Sequence, residues 1–304
     1  MPNSKQGTGV EMKIEDVRTI AVLGAGTMGH AIAQVCAQNG FQVKLEDIKE
    51  EMVRGAMERI RKFLQGSVER EKMTGEEADV VLSRIKGTVD LSEAVKDAEL
   101  VIEAVVEDIE AKKELFRRVD EISKSEAVLA SNTSVLSITE MASVTARPEK
   151  VVGMHFSNPA QLMKPVEIVR GISTSDDTVE LIKRLTLRMG KTPIVVKDSP
   201  GFASSRLGLA LFLEASKMLE EGVASVKDID MGAKLFYGHR MGPFETSDLV
   251  GLDARLNNLN AMYQATGDPR WRAPVLLKQL VVSGYLGKKP QSKGGYYTYF
   301  ELEQ

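Results

Sequence analysis

Val17–Asp47 reads VRTIAVLGAGTMGHAIAQVCAQNGFQVKLED, and the order of residue types within it decides the fold. Val17–Gly24 is a β-branched apolar run, which predicts a strand buried on both faces of a parallel sheet. It passes directly into Gly24-Ala25-Gly26-Thr27-Met28-Gly29, the spacing G-x-G-x-x-G, and then into an Ala-rich helix expected over Met28–Asn39. In that context each glycine has a job: Gly24 for the tight turn, Gly26 for close approach of a pyrophosphate, Gly29 for close packing of helix on strand. The helix N-terminus then offers unpaired N–H groups and a partial positive charge to phosphates. A second strand, Phe41–Asp47, ends on an acid placed to accept from ribose hydroxyls and to repel a 2′-phosphate. Its alternative is a helix-capping role before Lys49. Together these signals predict an α/β, Rossmann-type, doubly wound and mostly parallel sheet that binds NAD rather than NADP. The expected contacts are Gly24, Gly26, Thr27, Met28, Gly29 and Asp47.

Further along, three polar side chains stand beside apolar runs: Ser134, His155 and Glu167. His155 follows Val151–Met154, and Glu167 lies within Pro165–Val169, with Pro159 and Pro165 bracketing the connection. Two such runs are expected to pair as antiparallel strands, which brings the carboxylate opposite the imidazole. A His oriented by a buried carboxylate is an acid/base unit, because the carboxylate sets the tautomer and stabilises the imidazolium. Spacing alone leaves a plainer alternative open, a satisfied structural His beside an edge-strand Glu. Ser134, after the strand-like run Ala127–Ala130, offers a hydroxyl to the same substrate oxygen. Glu107 and Lys112 follow another short strand, Glu99–Ala104, and are placed either to line the nicotinamide side or to form a surface salt bridge. Helices over Lys49–Gly66 and Gly75–Lys86 carry Arg59, Arg61 and Lys62, which would meet a large anionic substrate or form a solvated face.

The 304 residues carry a net charge of −3, with 43% hydrophobic and 27% charged positions. That excludes a global basic field for nucleic acid, and no apolar run is long enough to span a membrane. One cysteine, Cys36, cannot form an intrachain disulfide, which fits a reducing, cytoplasmic setting; it reads as a packed apolar residue. No metal site is expected. Three regions follow: a polar extension over 1–16, disordered or loosely docked, an NAD-binding domain over 17–197, and an all-helical domain over 198–304. In the last, Leu207, Leu211, Ala215 and Met218 recur at helical spacing, and Ser225 is a predicted N-cap. A long helix over Glu245–Thr266 is interrupted by Gly251, a helix covers Pro274–Ser283, and a Gly/Lys/Tyr-rich tail closes the chain. Apolar helix faces with few charges predict a homodimer through this domain.

The segments VLGAGTMGHAIAQVCA, IEAVVEDIEAKKELF, ASNTS, GMHFSNPAQLMKPVEIV, KDSPGF and MGPFETSDLVGLD, spread from about Val17 to Tyr299, resemble the 3-hydroxyacyl-CoA dehydrogenases, most of all the short-chain 3-hydroxybutyryl-CoA enzymes. The resemblance implies a reversible oxidation of an L-3-hydroxyacyl-CoA by NAD, with His155 and Glu167 as the catalytic pair and Ser134 contacting substrate. It also implies NAD contacts at Glu107, Lys112, Ser134, Asn158 and Lys289, and places CoA's adenosine end near the helices of residues 49–86. One departure stands out: where many members have an asparagine before the arginine that follows PGF, this chain has Ser205, a shorter hydrogen-bonding group for holding substrate. The alternatives are a dehydrogenase of free hydroxy or sugar acids on the same fold, and an NAD-binding protein without turnover. Lysine-based 3-hydroxy acid dehydrogenases fit worse, since the first lysine in the helix after Phe202 is Lys217.

Overall fold

The computed structural model describes residues 12–302. Residues 1–11 of the expected extension lie outside the described residues. Of the rest, Met12 and Ile14 pack against the core rather than standing clear of it. Contacts divide the chain after Asp198 into two compact units.

The first unit alternates strand and helix. In chain order its elements are β1 (Thr19–Leu23), α1 (Thr27–Gln38), β2 (Gln42–Glu46), α2 (Glu50–Glu69), α3 (Gly75–Ser83), β3 (Ile85–Thr88), α4 (Leu91–Val95), β4 (Leu100–Glu103), α5 (Ile109–Ile122), β5 (Val128–Ser131), α6 (Ile138–Ala142), β6 (Val151–Phe156), β7 (Pro165–Arg170), α7 (Asp176–Arg188) and β8 (Thr192–Lys197). The eight strands form one sheet in the order β3-β2-β1-β4-β5-β6-β7-β8. All neighbours are parallel except β6 and β7. The chain winds outward from β1 in one direction to β3 and in the other from β4 onward. The switch point between β1 and β4 therefore opens a crevice at the strands' carboxyl ends, where ligands bind in such sheets. Ile20, Val22, Ile32, Leu45, Leu100, Ile102, Val152 and Ile168 belong to its buried core, each side chain contributing about 1.5–3 kcal/mol by removal from water.

Three local readings are corrected. The helix expected to reach Lys86 stops at Ser83, and Ile85–Thr88 becomes β3, pairing with β2. Leu91–Val95, read as no element, is a helix whose first turn is capped by Asp90. His155 lies within β6 rather than after it.

The second unit is helical: α8 (Ser204–Glu220), α9 (Val226–Tyr237), α10 (Pro243–Val250), α11 (Leu252–Thr266), α12 (Val275–Val282) and α13 (Tyr296–Leu302). Ser225 caps α9, its hydroxyl accepting from the Asp228 N–H. Gly251 does not merely interrupt a long helix. At φ +108 it separates two helices, a conformation that an L side chain rarely adopts. The Gly/Lys/Tyr-rich tail ends in a helix, α13. Asp248 accepts from the N–H groups of Tyr296 and Tyr297, capping α13 from a distance. Tyr296 is buried against Phe244, with ring centroids 4.7 Å apart. Among the described residues no helix is long and apolar enough to cross a membrane.

Candidate active site

The glycine turn after β1 is built by exclusion. A Cβ on Gly29 would stand 1.7 Å from the Gly24 carbonyl oxygen, and one on Gly24 (φ +95) would stand 2.6 Å from the Ala104 carbonyl oxygen. Above Gly26 nothing lies within 4 Å. No side chain caps α1. A helix N-terminus with uncapped first-turn N–H groups and an open glycine before it fits a diphosphate. Asp47 Oδ2 accepts from the Ala25 N–H at 2.8 Å, and its Oδ1 from the Lys49 N–H at 3.2 Å. It thus makes the local turn and also braces the glycine loop, at the carboxyl end of β2. Arg59 Nη2 donates to the Ala25 carbonyl at 2.8 Å, so its guanidinium lies along the loop, whereas Arg61 and Lys62 are exposed. His30 Nδ1 sits 2.8 Å from the Gly26 carbonyl oxygen. Burial holds this imidazole below its ordinary pKa, offset by that carbonyl, with Arg59 lowering it further. Cys36 is buried in α1, and desolvation pushes its thiol up to about 12, which leaves it no nucleophilic role near neutrality.

The loops after β4 and β5 are cross-linked by charge. Lys112, in the first turn of α5, is 1% exposed, and its Nζ meets Glu103 Oε1 at 2.5 Å and Glu107 Oε2 at 3.3 Å. Lys112 is therefore not a surface residue: its ion pair with Glu103 is fully buried, and its longer one with Glu107 joins it to a carboxylate that is 39% exposed. Removing one member of a buried pair strands the other charge, typically a loss of about 3–5 kcal/mol. Glu107 Oε1 accepts from the Thr133 hydroxyl at 2.5 Å and the Ser134 N–H at 2.9 Å. Glu103 and Ser131, which join this network, are not among the residues that the sequence singles out. The signal was there: an acid closing an apolar strand, nine residues before a lysine.

The two apolar runs do pair antiparallel, with His155 directly opposite Glu167. Directly opposed residues project from the same face of the sheet. His155 Nδ1–H donates to Glu167 Oε2 at 2.7 Å, with side-chain exposures of 13% and 4%. With Nδ1 committed to the carboxylate, Nε2 is the basic nitrogen of the ring. Asn132 Oδ1 accepts from the Phe156 N–H at 2.9 Å, tying the end of β5 to β6 beside His155. Because β5 and β6 are parallel, Ser134, His155 and the exposed Asn158 all lie at the same edge of the sheet as the glycine loop, Asp47 and Glu107. Ser205 and Lys289 belong to the second unit. Ser205 is in the first turn of α8, and Lys289 Nζ pairs with Asp253 Oδ1 at 2.5 Å.

A family model described as 3-hydroxyacyl-CoA dehydrogenase, NAD binding domain, matches residues 19–199, and one described as 3-hydroxyacyl-CoA dehydrogenase, C-terminal domain, matches residues 201–299. The chain is 42% identical to the "probable 3-hydroxybutyryl-CoA dehydrogenase" of Bacillus subtilis, over 94% of this chain and 99% of that one. It is 39% identical to the 3-hydroxybutyryl-CoA dehydrogenase of Bradyrhizobium diazoefficiens, over 93% and 96%. Among solved structures, FadB2 of M. tuberculosis aligns with a TM-score of 0.88 at 36% identity, covering 93% of this chain and 99% of that one. The (S)-3-hydroxybutyryl-CoA dehydrogenase PaaH1 from Ralstonia eutropha aligns with a TM-score of 0.85 at 39% identity, covering 90% and 96%.

Proposed function

Since the chain belongs to the 3-hydroxyacyl-CoA dehydrogenase family, an NAD-dependent oxidoreductase family, we propose that it interconverts a short-chain L-3-hydroxyacyl-CoA and its 3-oxoacyl-CoA. The observation that carries this reading is the His155–Glu167 pair, 2.7 Å apart at the strand edge that also bears the glycine loop. NAD, when bound, supplies the acceptor for the hydride lost from C3. His155 Nε2 removes the proton of the C3 hydroxyl, and Glu167 stabilises the imidazolium that results. In the reverse direction the same imidazolium protonates the carbonyl oxygen. Ser134 directs that oxygen toward His155. Asp47 accepts from the adenosine ribose hydroxyls, the first turn of α1 binds the diphosphate, and Glu107, Lys112 and Asn158 line the nicotinamide half. Lys289 is assigned as a further cofactor contact and Ser205 as a substrate contact. The helices over residues 49–83 receive the adenosine end of CoA. The protein acts in the cytoplasm as a homodimer held by its helical unit.

The test is loss of NADH absorbance with acetoacetyl-CoA, run beside NADPH and beside free acetoacetate. Rapid turnover that needs both the CoA ester and NADH is the expected result. Turnover of free hydroxy or keto acids without any on acetoacetyl-CoA would replace the substrate assignment, with Ser205 as its first suspect.

A further inference from the structure

The acid that ends β4 sits one step behind the residues assigned to the nicotinamide half of the site. Glu103 is 1% exposed and collects three donors from three different segments. Its Oε1 accepts from Lys112 Nζ at 2.5 Å and from the Val105 N–H at 2.7 Å, and its Oε2 accepts from the Ser131 hydroxyl at 2.6 Å. Lys112 also meets Glu107 Oε2 at 3.3 Å, and Glu107 in turn holds Thr133 and the Ser134 N–H. A continuous ionic and hydrogen-bonded chain thus runs from Glu103 through Lys112 and Glu107 to Ser134.

The charges along it decide what each group is available to do. Lys112 is a buried ammonium and must be neutralised. Glu103, equally buried and at 2.5 Å, does this at short range. Glu107, with its side chain 39% exposed, stands farther off at 3.3 Å. Without the Glu103 charge, Lys112 would draw Glu107 inward as its only carboxylate in this chain of contacts, and away from Ser134. We propose that Glu103, supported by Ser131, is a positioning residue for the nicotinamide half of the site. By neutralising Lys112 it leaves Glu107 to hold the Thr133–Ser134 backbone in place. This rests on the assignment of Glu107, Lys112 and Ser134 as cofactor contacts.

The experiment is calorimetric titration of the full-length Glu103→Gln variant with NADH and, separately, with ADP, which reports the adenosine end alone. NADH affinity is expected to fall about tenfold, the scale of one charge-assisted hydrogen bond made badly, while ADP affinity stays unchanged. Should this variant not fold, Ser131→Ala removes only the neutral donor, and it is expected to give a smaller loss with NADH and again none with ADP. Equal losses for NADH and ADP would mean that Glu103 merely holds the fold, and no loss for either would deny it any role; both overturn the proposal. A Glu107→Gln control separates the two levels. If it leaves NADH affinity intact, the cofactor assignment fails and the positioning role falls with it. If it weakens NADH while Glu103→Gln does not, the positioning role alone is wrong. No arm requires turnover, so inactivity on acetoacetyl-CoA would not be confused with either outcome.

Discussion

In the proposed reaction His155 and Glu167 carry the chemistry, so their variants should separate binding from turnover. His155→Gln keeps a polar group of similar reach but no base, and kcat is expected to fall about 10²–10⁴-fold. NADH affinity, followed by its fluorescence, should stay the same. A loss of activity below about fivefold would remove His155 from the role, given the usual size of acid/base assistance. A second residue-scale prediction concerns Glu46, at the buried end of β2. Burial and then the neighbouring Asp47 push its carboxyl up from 4.5 to about 7, with Arg118 pulling the other way. The folded chain therefore keeps a proton that the unfolded chain releases. Its contribution is complete below 4.5 and is lost as pH rises through about 7. Thermal melts of the native chain and of Glu46→Gln should show the native chain losing ground steadily between about pH 5 and pH 8. A constant difference across that range would contradict the burial argument. Of these side chains, His155 and Glu167 were legible because their residue types are rare inside apolar strands. Glu46 was not, because its burial depends on helices that pack over β2 from elsewhere in the chain.

At the scale of elements, the glycine turn makes a prediction that pure sequence matching does not. Gly26 has open space where a Cβ would go, and Gly29 has a carbonyl oxygen 1.7 Å away. Gly26→Ala should therefore melt within a few degrees of the native chain yet bind NADH at least about tenfold more weakly, because the methyl occupies the space a diphosphate needs. Gly29→Ala should instead lose stability outright, since helix and strand must separate. Equal stability of the two variants, measured by urea unfolding, would refute the distinction. Long, strongly patterned elements such as α1 and β1 could be read from their residues. The short β3 and α4 could not. β3 holds a glycine and two charged or polar residues in four positions, and it is a strand because β2 offers it a parallel edge. α13 was hidden for a similar reason: its cap, Asp248, lies 48 residues upstream of Tyr296.

For the whole molecule, the helical unit leaves apolar side chains in water. Leu207 and Leu211, one turn apart on α8, are exposed, as are Leu235, Phe236 and Val282. Covering such surface by a second copy of the chain is worth about 25 cal/mol per Å² before association costs. Light scattering at micromolar concentration should return twice the chain mass, and Leu207→Lys should shift it toward the monomer. A monomeric native protein would leave those residues without an explanation. By itself, the sequence determined that β-strand and helix alternate over the first two thirds, that a dinucleotide turn opens the sheet, and that helices follow, because hydrophobic period and glycine placement act within a few residues. Its motifs also named the family. The pairing that sets His155 opposite Glu167 was already expected from the two apolar runs; only the tertiary structure decided that Lys112 is a buried ion held by Glu103 and that Asp47 braces the glycine loop. Those are contacts between separate strands, helices and loops, set by burial, and no local pattern of residues specifies the depth at which a charge is buried.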